Sequence, residues 1–277
     1  MQAAGRVSMN HEKRTDKSAP GGRDFVAKQV RGVAFGFWPD DVRVRALSKV
    51  AEMKYVCLFD IDGTLLNTGG AGQRGMERAL ASVFEFGNLT HDIPAAGRTD
   101  RAIVTDLFAH HGIENGPETW EPFQQAYLRH LPETLAELDG RVLPGVVEIL
   151  DALAARPDVD LGLLTGNFRA GADLKLQHYG LDHHFSFGGF GDTHFHRDDV
   201  AREALAEAQR HLDREVSVDH IWVIGDTPSD VRCARAIGAR AVAVATGIFS
   251  EADLRDSDPD YLFAVFSDPQ ALLRLIG

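Results

Sequence analysis

Apolar runs of strand length recur along the chain and alternate with helical patterns: YVCLF (55–59), LGLLT (161–165), HIWVI (220–224), RAVAVA (240–245) and YLFAVF (261–266). Their hydrophobicity is continuous, which marks strands covered on both faces. Helical patterns lie at about 145–155, 169–179, 198–211 and 228–237. This alternation calls for right-handed βαβ crossovers and a parallel sheet. The predicted fold class is therefore α/β, with a Rossmann-like doubly wound parallel sheet as its core. Residues 67–142 break the rhythm, because GQRGMERALASVF and ETWEPFQQAYLRHLPETLAEL are helical and no convincing strand accompanies them. An all-helical domain inserted after the first strand fits this pattern, leaving 51–66 and 143–277 as the core.

The first fifty residues are a different kind of polymer. Lys and Arg outnumber Asp and Glu up to residue 54, whereas acids dominate the remainder. Residues 1–20 have no apolar period to offset the entropy of ordering, and 21–50 show neither a helical nor a strand period. Residues 1–50 are expected to be an extension, either disordered or upstream of the true start, with Met53 just ahead of KYVCLFD as that start. The net charge of −12 and a pI near 5.4 offer no basic surface to nucleic acid or anionic lipid, so neither is an expected partner. Cys57 and Cys233 have no ligand spacing or disulfide framework. The apolar run GVAFGFW (32–38) is too short to span a membrane. A soluble cytoplasmic protein is expected, with its oligomeric state left open.

Ligands of open parallel sheets bind at the carboxyl ends of the strands, and three of those ends are chemically unusual. DIDGTL follows the first strand, placing Asp60 and Asp62 around Ile61, with Gly63 permitting a tight turn. TGN follows the second, where the Thr165 hydroxyl and the main-chain N–H groups of Gly166 and Asn167 suit a phosphate oxygen at a helix start. GDTPSD follows HIWVI and adds Asp226 and Asp230. Like charges about 4 Å apart repel by about 4 kcal/mol at an effective dielectric of roughly 20, so clustered carboxylates call for a cation or for protonation. Hard oxygen ligands without His or Cys favour Mg²⁺, held by Asp60, Asp62, Asp226 and Asp230. The expected chemistry is attack of Asp60 on phosphorus to give an aspartyl-phosphate. Asp62 would protonate the leaving oxygen and later deprotonate the hydrolytic water.

In this order and between strands, DIDGTL, TGN and GDTPSD resemble motifs one, two and four of the haloacid-dehalogenase-like superfamily. The resemblance covers residues 54 to about 270, and the helical insertion resembles the family's cap. The pattern is most similar to the phosphoglycolate-phosphatase-like branch, which implies a small phosphorylated metabolite as substrate. By position the resemblance implies Asp60 as nucleophile, Asp62 as acid/base, Thr165 as the phosphate-binding hydroxyl, Asp226 as a direct Mg²⁺ ligand and Asp230 as the second acid of motif four. Motif three departs from the family, whose Lys at a helix start is missing from GDTHFHRDDVAREAL. Arg197 best matches that position, and its guanidinium suits Asp60 and a phosphate oxygen. Lys175, mid-helix and close to TGN, is the alternative, and a helix lysine without a catalytic role is its simpler interpretation. GRTD (97–100) starts a helical pattern in the insertion. Arg98 or Thr99 could reach a substrate's distal anion there, or Thr99 could simply cap the helix. Competing functions are a phosphomutase using the same carboxylates and a non-catalytic binding protein that retains the fold.

Overall fold

The computed structural model describes residues 54–86 and 93–276, so the expectations for residues 1–50 and for Met53 lie outside the described residues. In chain order the strands are β1 (Tyr55–Phe59), β2 (Leu66–Asn67), β3 (Arg141–Val142), β4 (Val159–Leu164), β5 (Phe187–Gly189), β6 (Ile221–Gly225), β7 (Arg240–Val244) and β8 (Tyr261–Phe263). The helices are α1 (Ala71–Phe84), α2 (Asp100–His110), α3 (Pro117–Glu137), α4 (Val146–Ala154), α5 (Arg169–His178), α6 (Arg197–Leu212), α7 (Pro228–Ala236), α8 (Glu251–Asp256) and α9 (Pro269–Leu275). Among the described residues, no helix is long and apolar enough to cross a membrane.

Six strands form one sheet in the order β5-β4-β1-β6-β7-β8, with every pairing parallel. The chain winds from β1 out through β4 to β5, then returns past β1 to β6 and continues outward. β1 is therefore central, and the winding reverses at its carboxyl end, where a ligand crevice forms. One face of the sheet carries Cys57, Phe59, Leu163, Trp222 and Ile224 against Ile149 and Leu153 of α4 and Leu176 of α5. The other carries Val56, Leu58 and Val223 against Val200 and Ala204 of α6 and Val231 of α7. Cover on both faces is the physical cause of the unbroken apolar runs, and the α/β class read from them is borne out.

Two local features depart from expectation. Only Tyr261–Phe263 of YLFAVF is strand. The glycine-rich stretch at 188–192 begins at the end of the edge strand β5. A Cβ at Gly189 would lie 2.3 Å from the Val200 carbonyl oxygen, so α6 packs directly on bare backbone there. The insertion is also not free of strand: β2 and β3 pair antiparallel as a short ribbon at its two ends, Leu66 opposite Val142. Two residues per strand are too few for a sequence period to register.

The inserted helices bury their own cluster, with Leu80 from α1, Val104, Leu107 and Phe108 from α2, and Phe123, Tyr127 and Leu131 from α3. Phe168, immediately before α5, joins that cluster from the core side. It is fully buried, edge-on to Trp120 at 5.8 Å and to Tyr127 at 6.0 Å. Replacing Phe168 by Ala should destabilise the protein by about 3–5 kcal/mol, as for other buried aromatic truncations. A urea titration showing a loss below about 1 kcal/mol would contradict this packing role.

Candidate active site

Asp60 lies at the end of β1, its N–H donating to the Ile224 carbonyl at 2.9 Å. The chain then doubles back, with the Ile61 carbonyl accepting from Leu65 (2.9 Å) and Leu66 (3.1 Å). Gly63 takes φ +86, and a Cβ there would stand 2.3 Å from Asp226 Oδ2. A Cβ at Gly247 would stand 1.7 Å from the same oxygen, so bare backbone closes on that carboxylate from two sides. Thr64 Oγ1 donates to Asp226 Oδ1 at 3.0 Å, and Thr246 Oγ1 donates to the Gly63 carbonyl at 2.6 Å.

Asp230 sits in the first turn of α7 as the acid of a capping box. Its Oδ2 accepts from the Thr227 N–H (3.0 Å) and Oγ1 (2.7 Å). Its Oδ1 accepts from Nη2 of Arg197, which opens α6 and is only 4% exposed. The same Nη2 lies 3.4 Å from Asp60 Oδ1. Asp60, Asp226 and Asp230 thus each present a carboxylate oxygen within 4.8 Å of the others, all three buried.

One guanidinium does not balance three buried carboxylates. Burial pushes the Asp60 carboxyl up to about 6, with Arg197 opposing the rise and Asp230 and Asp62 adding to it. Burial together with repulsion from Asp230 and Asp60 pushes Asp226 up to about 8. Burial weakens the Arg197 cation, yet Asp60 and Asp230 hold it above its ordinary value. Asp60 Oδ1 has no hydrogen-bond partner among the described residues. Excess negative charge, an orphaned acceptor and a donor set of hard oxygens together fit a divalent cation.

The Asp62 carboxylate, expected among the metal carboxylates, lies outside that cluster. Its Oδ2 accepts from Lys175 Nζ at 2.6 Å and from Asn167 Nδ2 at 2.9 Å. Lys175 also donates to Asn167 Oδ1 at 2.7 Å, and Asn167 Nδ2 donates to Thr165 Oγ1 at 2.8 Å. The physical reason is that the Lys175 side chain is 4% exposed, and a buried ammonium requires a counter-charge. Lys175 is accordingly at the site, against the simpler interpretation of its sequence position. Its signal was legible: Gly171, Ala172, Lys175 and Leu176 form the buried stripe of α5, an apolar face on which a lysine is out of place.

A cavity of about 400 Å³ runs from Asp60, Asp226 and Arg197 to Gln73, Met76, Ile103 and Tyr127 of the inserted helices. Asp62, Gly166, Asn167, Arg98 and Lys175 also line it. Arg98 pairs with Asp106 at 2.6 Å. Thr165 and Thr99 are fully buried. Thr99 is the N-cap of α2, accepting from the Ala102 N–H at 3.2 Å and donating to the Phe195 carbonyl at 3.3 Å, so the substrate contact considered for it is replaced by the capping role. Sequence reasoning missed Asp100 beside it. The Asp100 N–H donates to the Gly166 carbonyl (2.7 Å), and its Oδ2 accepts from the Phe168 N–H (2.8 Å), which ties the insertion to the TGN loop.

The model of the haloacid dehalogenase-like hydrolases matches residues 57–235, which contain all three acidic and hydroxyl motifs. The chain belongs to this family. Among curated relatives of this haloacid dehalogenase-like hydrolase, the phosphoglycolate phosphatase of Rhodospirillum rubrum is 28% identical over 211 residues, covering 72% of this chain and 83% of that protein. The phosphoglycolate phosphatase of Synechococcus elongatus is 32% identical over 152 residues, covering 53% and 68%. The crystal structure of CbbY from Rhodobacter sphaeroides in complex with phosphate shares the fold, with a TM-score of 0.61 at 19% identity over 78% of this chain and 96% of that one. The resemblance read from the motifs is therefore borne out, including its phosphoglycolate-phosphatase-like branch.

Burial pushes the Asp100 carboxyl up to about 7, against the pull of Lys175 and the Phe168 N–H. Its folded value lies above the ordinary 3.8, so the ionised form lowers stability at high pH and the penalty fades as pH falls through 7. Asp100→Asn keeps an acceptor for Phe168 and removes the charge. Thermal melts should show the variant more stable than wild type at pH 8, with the advantage shrinking towards pH 5. Lower stability of the variant at pH 8 would contradict the assignment.

Proposed function

We propose that the protein is a Mg²⁺-dependent hydrolase of a small, phosphoglycolate-like phosphomonoester, working through an aspartyl-phosphate on Asp60. The observation that carries this reading is that Asp60 and Asp62, on one turn, stand in separate environments: Asp60 among Asp226, Asp230 and Arg197, and Asp62 on Lys175 and Asn167. Distinct surroundings for neighbouring carboxylates are what separate nucleophile and acid/base roles require. The names of the curated relatives support a phosphorylated two-carbon acid as the first substrate to try.

Asp60, Asp226 and Asp230 would hold the metal, with Asp230 also restrained by Arg197 and Thr227. When bound, Mg²⁺ screens the nucleophile from the phosphoryl group and polarises the latter. In the first step an oxygen of Asp60 forms a bond to phosphorus and the ester P–O bond breaks, while protonated Asp62 delivers its proton to the leaving oxygen. In the second, Asp62 takes a proton from water, whose oxygen attacks phosphorus. The P–O bond to Asp60 then breaks and inorganic phosphate leaves. Arg197 keeps Asp60 oriented and supplies positive charge as anionic oxygens accumulate. The loop of Thr165, Gly166 and Asn167 offers hydrogen-bond donors to the phosphoryl oxygens at the start of α5.

Asp60→Asn is isosteric and removes the nucleophile. Phosphate release from a panel of phosphorylated metabolites, 2-phosphoglycolate included, should fall on the order of 10³-fold or more in this variant. Wild-type turnover should disappear with chelator and return with Mg²⁺. Equal turnover by the two proteins would remove the covalent mechanism. Transfer of phosphate to a sugar phosphate without release to water would establish a mutase instead.

A further inference from the structure

Tyr127 is fully buried, lines the cavity, and its hydroxyl has no hydrogen-bond partner among the described residues. An orphaned buried hydroxyl is uncommon enough to require a reason. The surroundings show that its place is prepared. A Cβ at Gly75 of α1 would touch the ring at 3.2 Å, and one at Gly171 of α5 at 3.5 Å, so two helices give up side chains to seat it. Glycine lowers helix stability, so these positions serve the tyrosine and not the helices.

Gly72 shows what the hydroxyl faces. A methyl group there would lie 3.4 Å from Lys175 Nζ and 3.8 Å from the Tyr127 hydroxyl, which places both donors around one space bordering the cavity. The Lys175 ammonium has three N–H donors. Asp62 and Asn167 take two of them, leaving one. Since Asp62 is the group that faces the leaving oxygen in the proposed reaction, this space lies beyond the ester bond, on the side of the departing alcohol.

We infer that Lys175 Nζ and the Tyr127 hydroxyl form a subsite for an acceptor oxygen on the leaving group, so that the preferred substrate carries a carboxylate or hydroxyl a short distance from its phosphate. This deepens the phosphatase reading and rests on it for the placement of the ester. Two donors converging on one space select for an acceptor and against a bare alkyl chain, which would leave both unpaired.

The test uses the full chain with Mg²⁺ and non-hydrolysable phosphonates in titration calorimetry: 3-phosphonopropionate, 3-hydroxypropylphosphonate and propylphosphonate. Wild type should bind at least one oxygen-bearing compound about tenfold more tightly than propylphosphonate. The compound that gains tells whether carboxylate or hydroxyl is the natural group. Tyr127→Phe removes one donor, and Gly72→Ala fills the space at ordinary contact distance while favouring the helix. Each should bring the affinity ratio down severalfold towards unity. Equal or undetectable wild-type affinities, or a ratio unchanged in both variants, would overturn the subsite. Binding with the expected ratio but without phosphate release from any ester would instead remove the phosphatase reading and leave the subsite standing.

Discussion

Two buried cations divide three acidic side chains between them, and the geometry of the whole crevice follows from that division. Arg197 bonds Asp230 and approaches Asp60, whereas Lys175 takes Asp62. Both cations come from the opening half of a helix or its buried stripe, and both are almost wholly withdrawn from solvent. Without them the acids at the ends of β1 and β6 would repel one another in a medium that screens poorly. With them, Asp60 and Asp62 occupy different electrostatic settings although one residue separates them.

The sheet makes this arrangement possible. β1 is bonded on both sides, to β4 and β6, so the backbone carrying Asp60 is among the least mobile parts of the molecule. The partners arrive from sequence-distant elements by simple topology: β6 delivers Asp226, α7 delivers Asp230, and α6 delivers Arg197. The insertion is tied to the same region, because Asp100 bonds both Gly166 and Phe168, and the Phe168 ring is seated in the inserted helices. The loop following β4 therefore belongs structurally to both parts.

Much of this was legible in the residues, and what was not has identifiable causes. Continuous apolar runs located β1, β4, β6 and β7, because strands covered on both faces leave that signature. β5 escaped because two of its three residues are glycines, present to let α6 approach. Asp60, Asp226, Asp230 and Arg197 were found from motif spacing, and the structure brings them together. Asp62 was expected among them, and only coordinates could show that Lys175, 113 residues further on in α5, pairs with it instead. Tyr127 and Asp100 carry no local motif. A tyrosine in an amphipathic helix and an acid in a first turn look ordinary until their neighbours are known.

Gly63 and Gly247 leave no room for a side chain beside Asp226, although neither lies in the hydrophobic core. A methyl group at either position would press on one carboxylate, while the apolar contacts that hold the sheet together would be untouched. Gly63 is barred to other residues twice over, since its left-handed backbone would strain any side chain whatever the space. At Gly247 the obstacle is the carboxylate itself, so that position stays closed only for as long as residue 226 carries its acid.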